Sequence, residues 1–296
     1  MLRAGRIGKV SVVPRTVQQD RVAMFQYRSN SSKFSSALTI LELIFHSVVR
    51  HVRSAHSNAF IAIGKNMLQV VVFVLAFYLM FSVLGLRRSA VRGDFLLYMM
   101  SGIFLFMCHT KAVGAVVKSE GPNHPMMQHA PMNTVISISA AAVGSLYIQV
   151  LTMFVLLFGY HVAIKPITIE DPAGAFAMLM LAWFSGCAVG LVLLALRPWF
   201  PTAVGLISTI YQRANMIASG KMFLANNLPG YMLPIFSWNP LFHTIDQARG
   251  YVFINYNPMN TNWHYTLWVG IVLTMIGLMG EFYTRRHASL SWSARR

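Results

Sequence analysis

Long apolar runs alternate with short polar segments along most of the chain. A bilayer core requires about 20 mostly apolar residues per helical crossing, and six stretches reach or approach that length. The predicted crossings are residues 66–86, 95–117, 134–160, 173–196, 201–224 and 265–283. This pattern predicts an all-α polytopic membrane protein whose single transmembrane domain covers residues 61–284.

A different pattern precedes the first crossing, within residues 35–60. Leu38, Leu41 and Phe45 recur at helical spacing, and the opposite face is polar. Such a two-sided pattern is typical of an amphipathic helix that lies in the membrane interface. The helix is either a plain interfacial anchor or a lever that contacts a cytoplasmic partner.

Composition and charge support the membrane class and suggest an orientation. The chain is 56% hydrophobic and only 11% charged, with a formal net charge of +16. Lys and Arg concentrate in a basic extension, residues 1–34, which we expect to be disordered, and in a basic tail, residues 285–296. The positive-inside rule then places both termini in the cytoplasm, although the Arg-containing segment 85–94 runs against it. Because the basic residues flank membrane helices, no nucleic-acid partner is indicated.

The fifth predicted crossing is interrupted by polar side chains, which are Gln212, Arg213, Asn215 and Lys221. Several such groups in one segment favour a helix that faces a polar cavity, and they are our candidates for a translocation path. The alternative is that each forms a hydrogen bond with a neighbouring helix. Lys111, near the end of the second crossing, is better explained by a side chain that extends its ammonium to the interface.

Nothing in the sequence indicates catalysis, and we predict no catalytic, cofactor-binding or metal-binding residues. The chain has eight Asp and Glu residues, and it lacks the glycine spacing of a phosphate-binding loop. Any ATP and Mg²⁺ are therefore expected on a partner chain. Cys108 and Cys187 fall within predicted crossings and are interpreted as buried thiols.

The segment between the last two crossings is polar and aromatic. Asn239-Pro240 predicts the start of a short helix, from Leu241 to about Phe253, that is re-entrant or interfacial. Its aromatic rings either stack on a sugar at the exit side or anchor the segment in the interface. The candidate aromatic residues are Tyr231, Trp238, Phe242, Tyr251 and Tyr256.

The same segment carries a family resemblance. WNPLFHTIDQARGYVF, residues 238–253, resembles a stretch in the permease subunits of ABC-2 type exporters for capsular and other surface polysaccharides. In that family Asn-Pro-Leu-x-His is followed by an acidic residue, an Arg and an aromatic run. The matching residues are Asn239, Pro240, His243, Asp246 and Arg249. The ending GLMGEFYTRRHASL is similar to the close of the family's final helix.

The resemblance implies partners that composition does not show. It implies a homodimer in the bacterial inner membrane that docks a separate ABC ATPase, exports a lipid-linked polysaccharide, and meets periplasmic and outer-membrane export partners. Docking would use the interfacial helix and the segment 119–133, and the candidate contacts are Glu42, Arg50, Arg53, His124, Pro125 and Met126. Two alternatives stay open, an ABC-2 permease for a drug or another lipid, and a membrane-embedded glycosyl- or lipid-modifying enzyme.

Overall fold

The computed structural model describes residues 33–54, 59–83, 94–119 and 134–287. These residues are helical with short connections, and no strand occurs among them. The chain divides into two compact units, residues 1–42 and 43–296. The predicted basic extension and most of the predicted basic tail lie outside the described residues.

Within residues 134–287, the longest described stretch, short connections join the helices. In chain order the described helices are α1 (Lys33–Ser54), α2 (Ala59–Val83), α3 (Phe95–Lys118), α4 (Thr134–Ala163), α5 (Pro172–Leu196), α6 (Pro201–Ala218), a 3₁₀ turn (Ala225–Asn227), α7 (Leu233–Ser237), α8 (Pro240–Val252) and α9 (Trp263–His287).

Five of the described helices are long and apolar enough to cross a bilayer. They are α3, α4, α5, α9 and the part of α2 from Ile63 to Val83. The prediction of a polytopic helical membrane protein is thereby confirmed. The type of membrane, the side on which the termini lie, and the interfacial placement of α1 stay predictions.

The fifth predicted crossing, residues 201–224, corresponds to a shorter helix, because α6 ends at Ala218. Gly220 has a φ of 72°, and an added Cβ would come within 2.5 Å of the Phe242 ring. Only glycine combines that left-handed conformation with so close a neighbour, so the chain turns here. Since α6 is not among the five helices named above, the count of six crossings stays a prediction.

Two adjacent helices, α3 and α5, form the interior of the bundle. An added Cβ at Gly186 would lie 2.5 Å from the His109 carbonyl oxygen, and one at Gly190 would lie 2.8 Å from Val116 Cβ. These glycines let the two helices approach closely, as is common in membrane bundles. Helix α9 packs on the other side of α5, where Gly277 faces Leu191.

The short helix α8 confirms the predicted helical segment and begins where expected. The Asn239 side chain caps it by accepting a hydrogen bond from the Leu241 N–H at 3.1 Å, and Pro240 is its first residue. Ten of its 13 residues are buried, because it packs among α3, α5 and α9. The segment is therefore enclosed by protein and does not lie on the surface of the bundle.

Candidate functional site

Arg249, in the last turn of α8, holds the turn that follows α6. Its guanidinium donates hydrogen bonds to the carbonyl oxygens of Gly220 at 2.9 Å, Phe223 at 2.7 Å and Lys221. It also lies over the Tyr98 ring, 4.2 Å from its centre, and is fully buried. Cations over aromatic faces and charge-assisted hydrogen bonds stabilise a buried guanidinium. Arg249 thus joins α8 to α3 and to the end of α6.

Asp246, one turn earlier, holds two other segments. One carboxylate oxygen accepts from the Ala225 N–H at 3.1 Å and from the Tyr256 hydroxyl at 2.5 Å, and the other accepts from Thr261 at 2.8 Å. Burial and the neighbouring carboxylate raise the pKa of Tyr256 above its ordinary value, so its hydroxyl stays a donor. Asp246 and Arg249 therefore anchor different loops, although they lie three residues apart on α8.

His243 joins the start of α8 to the start of α9. Its Nδ1 accepts a hydrogen bond from the Asn262 N–H at 3.0 Å, so the opposite nitrogen, Nε2, donates to the Ser237 carbonyl at 2.6 Å. This pairing requires the neutral ring, since a protonated ring has no acceptor. Burial lowers the pKa of His243, in agreement with a neutral side chain.

Asn239 and Pro240 complete this group. The Asn239 amide donates to the Asn215 side chain at 2.9 Å and to the Ala218 carbonyl at 3.0 Å. The Pro240 carbonyl accepts from the hydroxyls of Thr244 and Thr266, each at 2.8 Å. The five residues that carry the family resemblance thus lie together on α8 and its cap, and each binds a residue outside the group. They are called the α8 cluster here, which comprises Asn239, Pro240, His243, Asp246 and Arg249.

The four candidates for a translocation path do not share one environment. Asn215 is buried against Asn239, Gln212 donates to Ser208 within α6 at 3.1 Å, and Arg213 is exposed. Lys221 is 1% exposed. Its ammonium lies 3.6 Å from the centre of the Phe106 ring. Within the described part of the chain the Lys221 Nζ has no hydrogen-bond partner.

The five candidate exit-side aromatics also separate. Tyr231 and Trp238 are 79% and 63% exposed, whereas Phe242 and Tyr256 are buried and Tyr251 is half-buried. Phe242 packs near the rings of Phe223 and Phe236, and Tyr256 binds Asp246. Only Tyr231 and Trp238 are fully available for a sugar or for the membrane interface in this conformation.

The candidate ATPase contacts lie partly outside the described residues. Glu42 and Arg50 are exposed on α1, and Arg53 belongs to the same helix. The remaining candidates, His124, Pro125 and Met126, fall in the segment between α3 and α4 that the structure does not describe.

An apolar cavity of about 420 Å³ lies beside the α8 cluster, among α3, α4, α5 and α8. Apolar side chains form nearly all of its wall, and among them are Leu105, Phe154, Leu157, Ala248 and Val252. A hydrocarbon chain suits this lining, because a sugar would leave its hydroxyls without partners there. Among the described residues, no group of three or more His, Cys, Asp and Glu side chains could hold a metal ion.

A second polar network surrounds His109, an ionisable side chain within the predicted second crossing. His109 is fully buried, with Nδ1 3.0 Å from the Ala182 carbonyl and Nε2 2.9 Å from the Tyr211 hydroxyl. Its ring connects α3, α5 and α6. The available signal was an ionisable side chain inside an apolar run, which marks a polar contact in a membrane bundle but not its partners.

Comparison with known proteins adds no family assignment. No family profile and no characterised protein matches this chain.

Proposed function

We propose that this chain is the membrane-spanning permease subunit of an ABC-2 type exporter. Its substrate would be a capsular or other surface polysaccharide linked to a lipid, moved outward across the bacterial inner membrane. The observation that carries the proposal is the α8 cluster, because the residues that resemble the family's motif are all buried on one short helix and its cap, and each forms hydrogen bonds with surrounding segments.

Two further features support the proposal. Five of the described helices are suited to a bilayer, as a permease requires. The apolar cavity beside α8 suits the hydrocarbon part of a lipid-linked substrate. A sugar polymer needs polar and aromatic contacts, and the exposed rings of Tyr231 and Trp238 are the available candidates for them.

The proposed mechanism assigns the energy to a second protein. ATP and Mg²⁺ bind to a partner ATPase, and its closure pushes on α1 and on residues 119–133 of each copy in a homodimer. The transmembrane helices then reopen outward. In this mechanism the α8 cluster transmits movement between α6 and α9, because it is bonded to Asn215 on one side and Thr266 on the other.

Deletion of the gene tests the function directly. Surface polysaccharide is expected to disappear while lipid-linked polymer accumulates inside the cell, and the wild-type gene should restore export. The variant Lys165→Gln, in the exposed loop between α4 and α5, should restore it equally. Normal surface polysaccharide after deletion would refute the substrate class.

Co-purification tests the mechanism. The intact protein is expected to retain an ABC ATPase subunit through mild detergent extraction, and export in vesicles should require ATP. Export that proceeds without any ATPase subunit would overturn the assignment to an ABC exporter.

A further inference from the structure

Three lysines lie on one side of the helix pair α2 and α3. Lys111 is half-buried, seven residues before the end of α3, and its ammonium donates to the Gln69 side chain of α2 at 2.7 Å. Lys118 follows two turns later on α3, and Lys65 precedes Gln69 by one turn on α2. Residues four and seven positions apart share a helix face, so the three amines lie on one surface, called the lysine surface here.

These amines act on one another electrostatically. The charges that act most on Lys111 are those of Lys118 and Lys65, and no carboxylate of the described residues is among them. Like charges without a counterion repel, and this repulsion is strongest for the half-buried Lys111. A bound anion would remove the repulsion and satisfy the ammonium donors.

The surface between the amines is open. Gly114 lies between Lys111 and Lys118 on the same face of α3, and an added Cβ there would meet nothing within 4 Å. The same is true of Gly64, which precedes Lys65. No atom of the described residues therefore fills the space directly above Gly114, between Lys111 and Lys118.

Apolar side chains continue the lysine surface along α2. Leu68 and Val72 follow Lys65 on the same helix face and are 63% and 54% exposed. They run toward the middle of the helix, whereas Lys111 lies about 10 Å from the end of α3. A ligand that matches both parts has a negatively charged head and a hydrocarbon chain.

We infer that the lysine surface binds the phosphate group of a membrane lipid, with an acyl or polyprenyl chain along Leu68 and Val72. Lys111 and Gln69 form the inner end of the site, and Lys65 and Lys118 form its outer rim. A soluble phosphate would use only the lysines, so the apolar continuation assigns the site to a lipid.

Native mass spectrometry of the full chain in a neutral detergent tests this inference. The probes are dioleoyl phosphatidic acid, dioleoylglycerol, which lacks only the phosphate, and inorganic phosphate. We expect phosphatidic acid to bind much more tightly than either other probe. Each exchange of Lys65, Lys111 or Lys118 for Gln should weaken its binding about fivefold, and the triple exchange about 100-fold. The variant Lys165→Gln should bind as the wild type does.

A second variant distinguishes binding at the lysine surface from general attraction of the lipid to a positively charged protein. Gly114→Leu keeps all three lysines but fills the space between them, so it should also weaken the binding of phosphatidic acid. Leu is a better helix former than Gly, so Gly114→Leu should retain the fold. If the triple lysine variant does not fold, the affinity of Gly114→Leu for phosphatidic acid tests the site by itself.

Several results would overturn the inference. They are equal affinity for phosphatidic acid and dioleoylglycerol, inorganic phosphate that binds as tightly as the lipid, wild-type affinity in Gly114→Leu, or equal weakening in Lys165→Gln.

Discussion

The most apolar 18 residues of α3 and of α9 have the same mean hydropathy but opposite surroundings. Over their most apolar 18 residues, 83% of α3 is buried, compared with 22% of α9. Helix α3 packs against α2, α4, α5, α6 and α8, whereas α9 packs mainly on α5 and α8. Hydropathy reports how well a segment is accommodated in an apolar environment. Lipid and the protein interior are both apolar, so hydropathy does not distinguish them. The neighbours, and not the composition, therefore decide which helices form the interior.

The contrast extends to the polar residues. Arg249 and Asn239 are enclosed by protein, whereas Arg213 and Asn227 are exposed. The same residue types should therefore differ in their effect on stability according to location. Four substitutions test this difference, each with a matched exchange on the exposed side of the molecule.

The largest effect is expected from Arg249→Met. It removes the donor to three carbonyl oxygens in a place closed to water, and we expect a loss of about 4 kcal/mol in the free energy of unfolding. Reversible unfolding in mixed micelles measures the loss. Arg213→Met on the exposed face of α6 should leave stability almost unchanged. Equal losses in the two variants would show that Arg249 does not hold the interior.

The second largest effect is expected from Gly186→Leu, which should lower the free energy of unfolding by about 3 kcal/mol. Its Cβ would collide with the backbone of α3 and separate the two interior helices. The same unfolding experiment applies. Gly205→Leu on α6 is the control, since an added Cβ there meets nothing within 4 Å. A stable Gly186→Leu protein would mean that α3 and α5 can pack at a larger separation.

Asn239→Ala removes the cap of α8 and the hydrogen bond to Asn215. We expect it to lower the free energy of unfolding by about 2 kcal/mol. Asn227→Ala, on the exposed 3₁₀ turn, should be nearly neutral. Hydrogen exchange gives a second measurement, because the first turn of α8 should exchange faster in Asn239→Ala only. Unchanged protection of that turn would contradict the role of Asn239 as its cap.

The smallest effect concerns pH and His243. Burial lowers the pKa of His243 in the folded protein, so the unfolded chain takes up the proton first as the pH falls. The contribution of His243 is therefore complete above a pH of about 6.5 and is lost as the pH falls through the lower folded pKa, at about 1.4 kcal/mol per unit of pKa difference.

His243→Gln keeps one donor and one acceptor but cannot titrate. The melting temperature of the wild type should thus fall more between pH 7.5 and 5 than that of His243→Gln. His264→Gln, at the exposed start of α9, should retain the wild-type pH dependence. Identical pH profiles for the wild type and His243→Gln would contradict a neutral buried ring.

Local signals explain which parts of the fold could be predicted. Apolar runs mark the five bilayer-compatible helices, and Asn239-Pro240 marks the start of α8, because a cap and an N-terminal proline act within one turn. The end of α6 could not be predicted in this way. It depends on Gly220 meeting Phe242, a residue 22 positions later, and no local pattern contains that contact.

The sequence indicated which residues belong to the candidate site but not which partners they bind. The resemblance selected the residues of the α8 cluster, yet the partners of Arg249 are backbone carbonyls, which every residue possesses. The burial of Phe242 could not be predicted for a related reason, since an aromatic side chain suits a protein interior as well as an exit surface.

The bonds of Arg249 also set an order of events during synthesis. The carbonyl oxygens of Gly220 and Phe223 leave the ribosome 29 and 26 residues before the guanidinium that binds them. Until then the carboxyl end of α6 lacks the contacts that hold it in the finished protein. At about 5–20 residues per second this interval lasts roughly one to six seconds. A chain truncated before α8 would therefore keep the first four apolar helices but leave α6 unsecured, a ready substrate for membrane quality-control proteases.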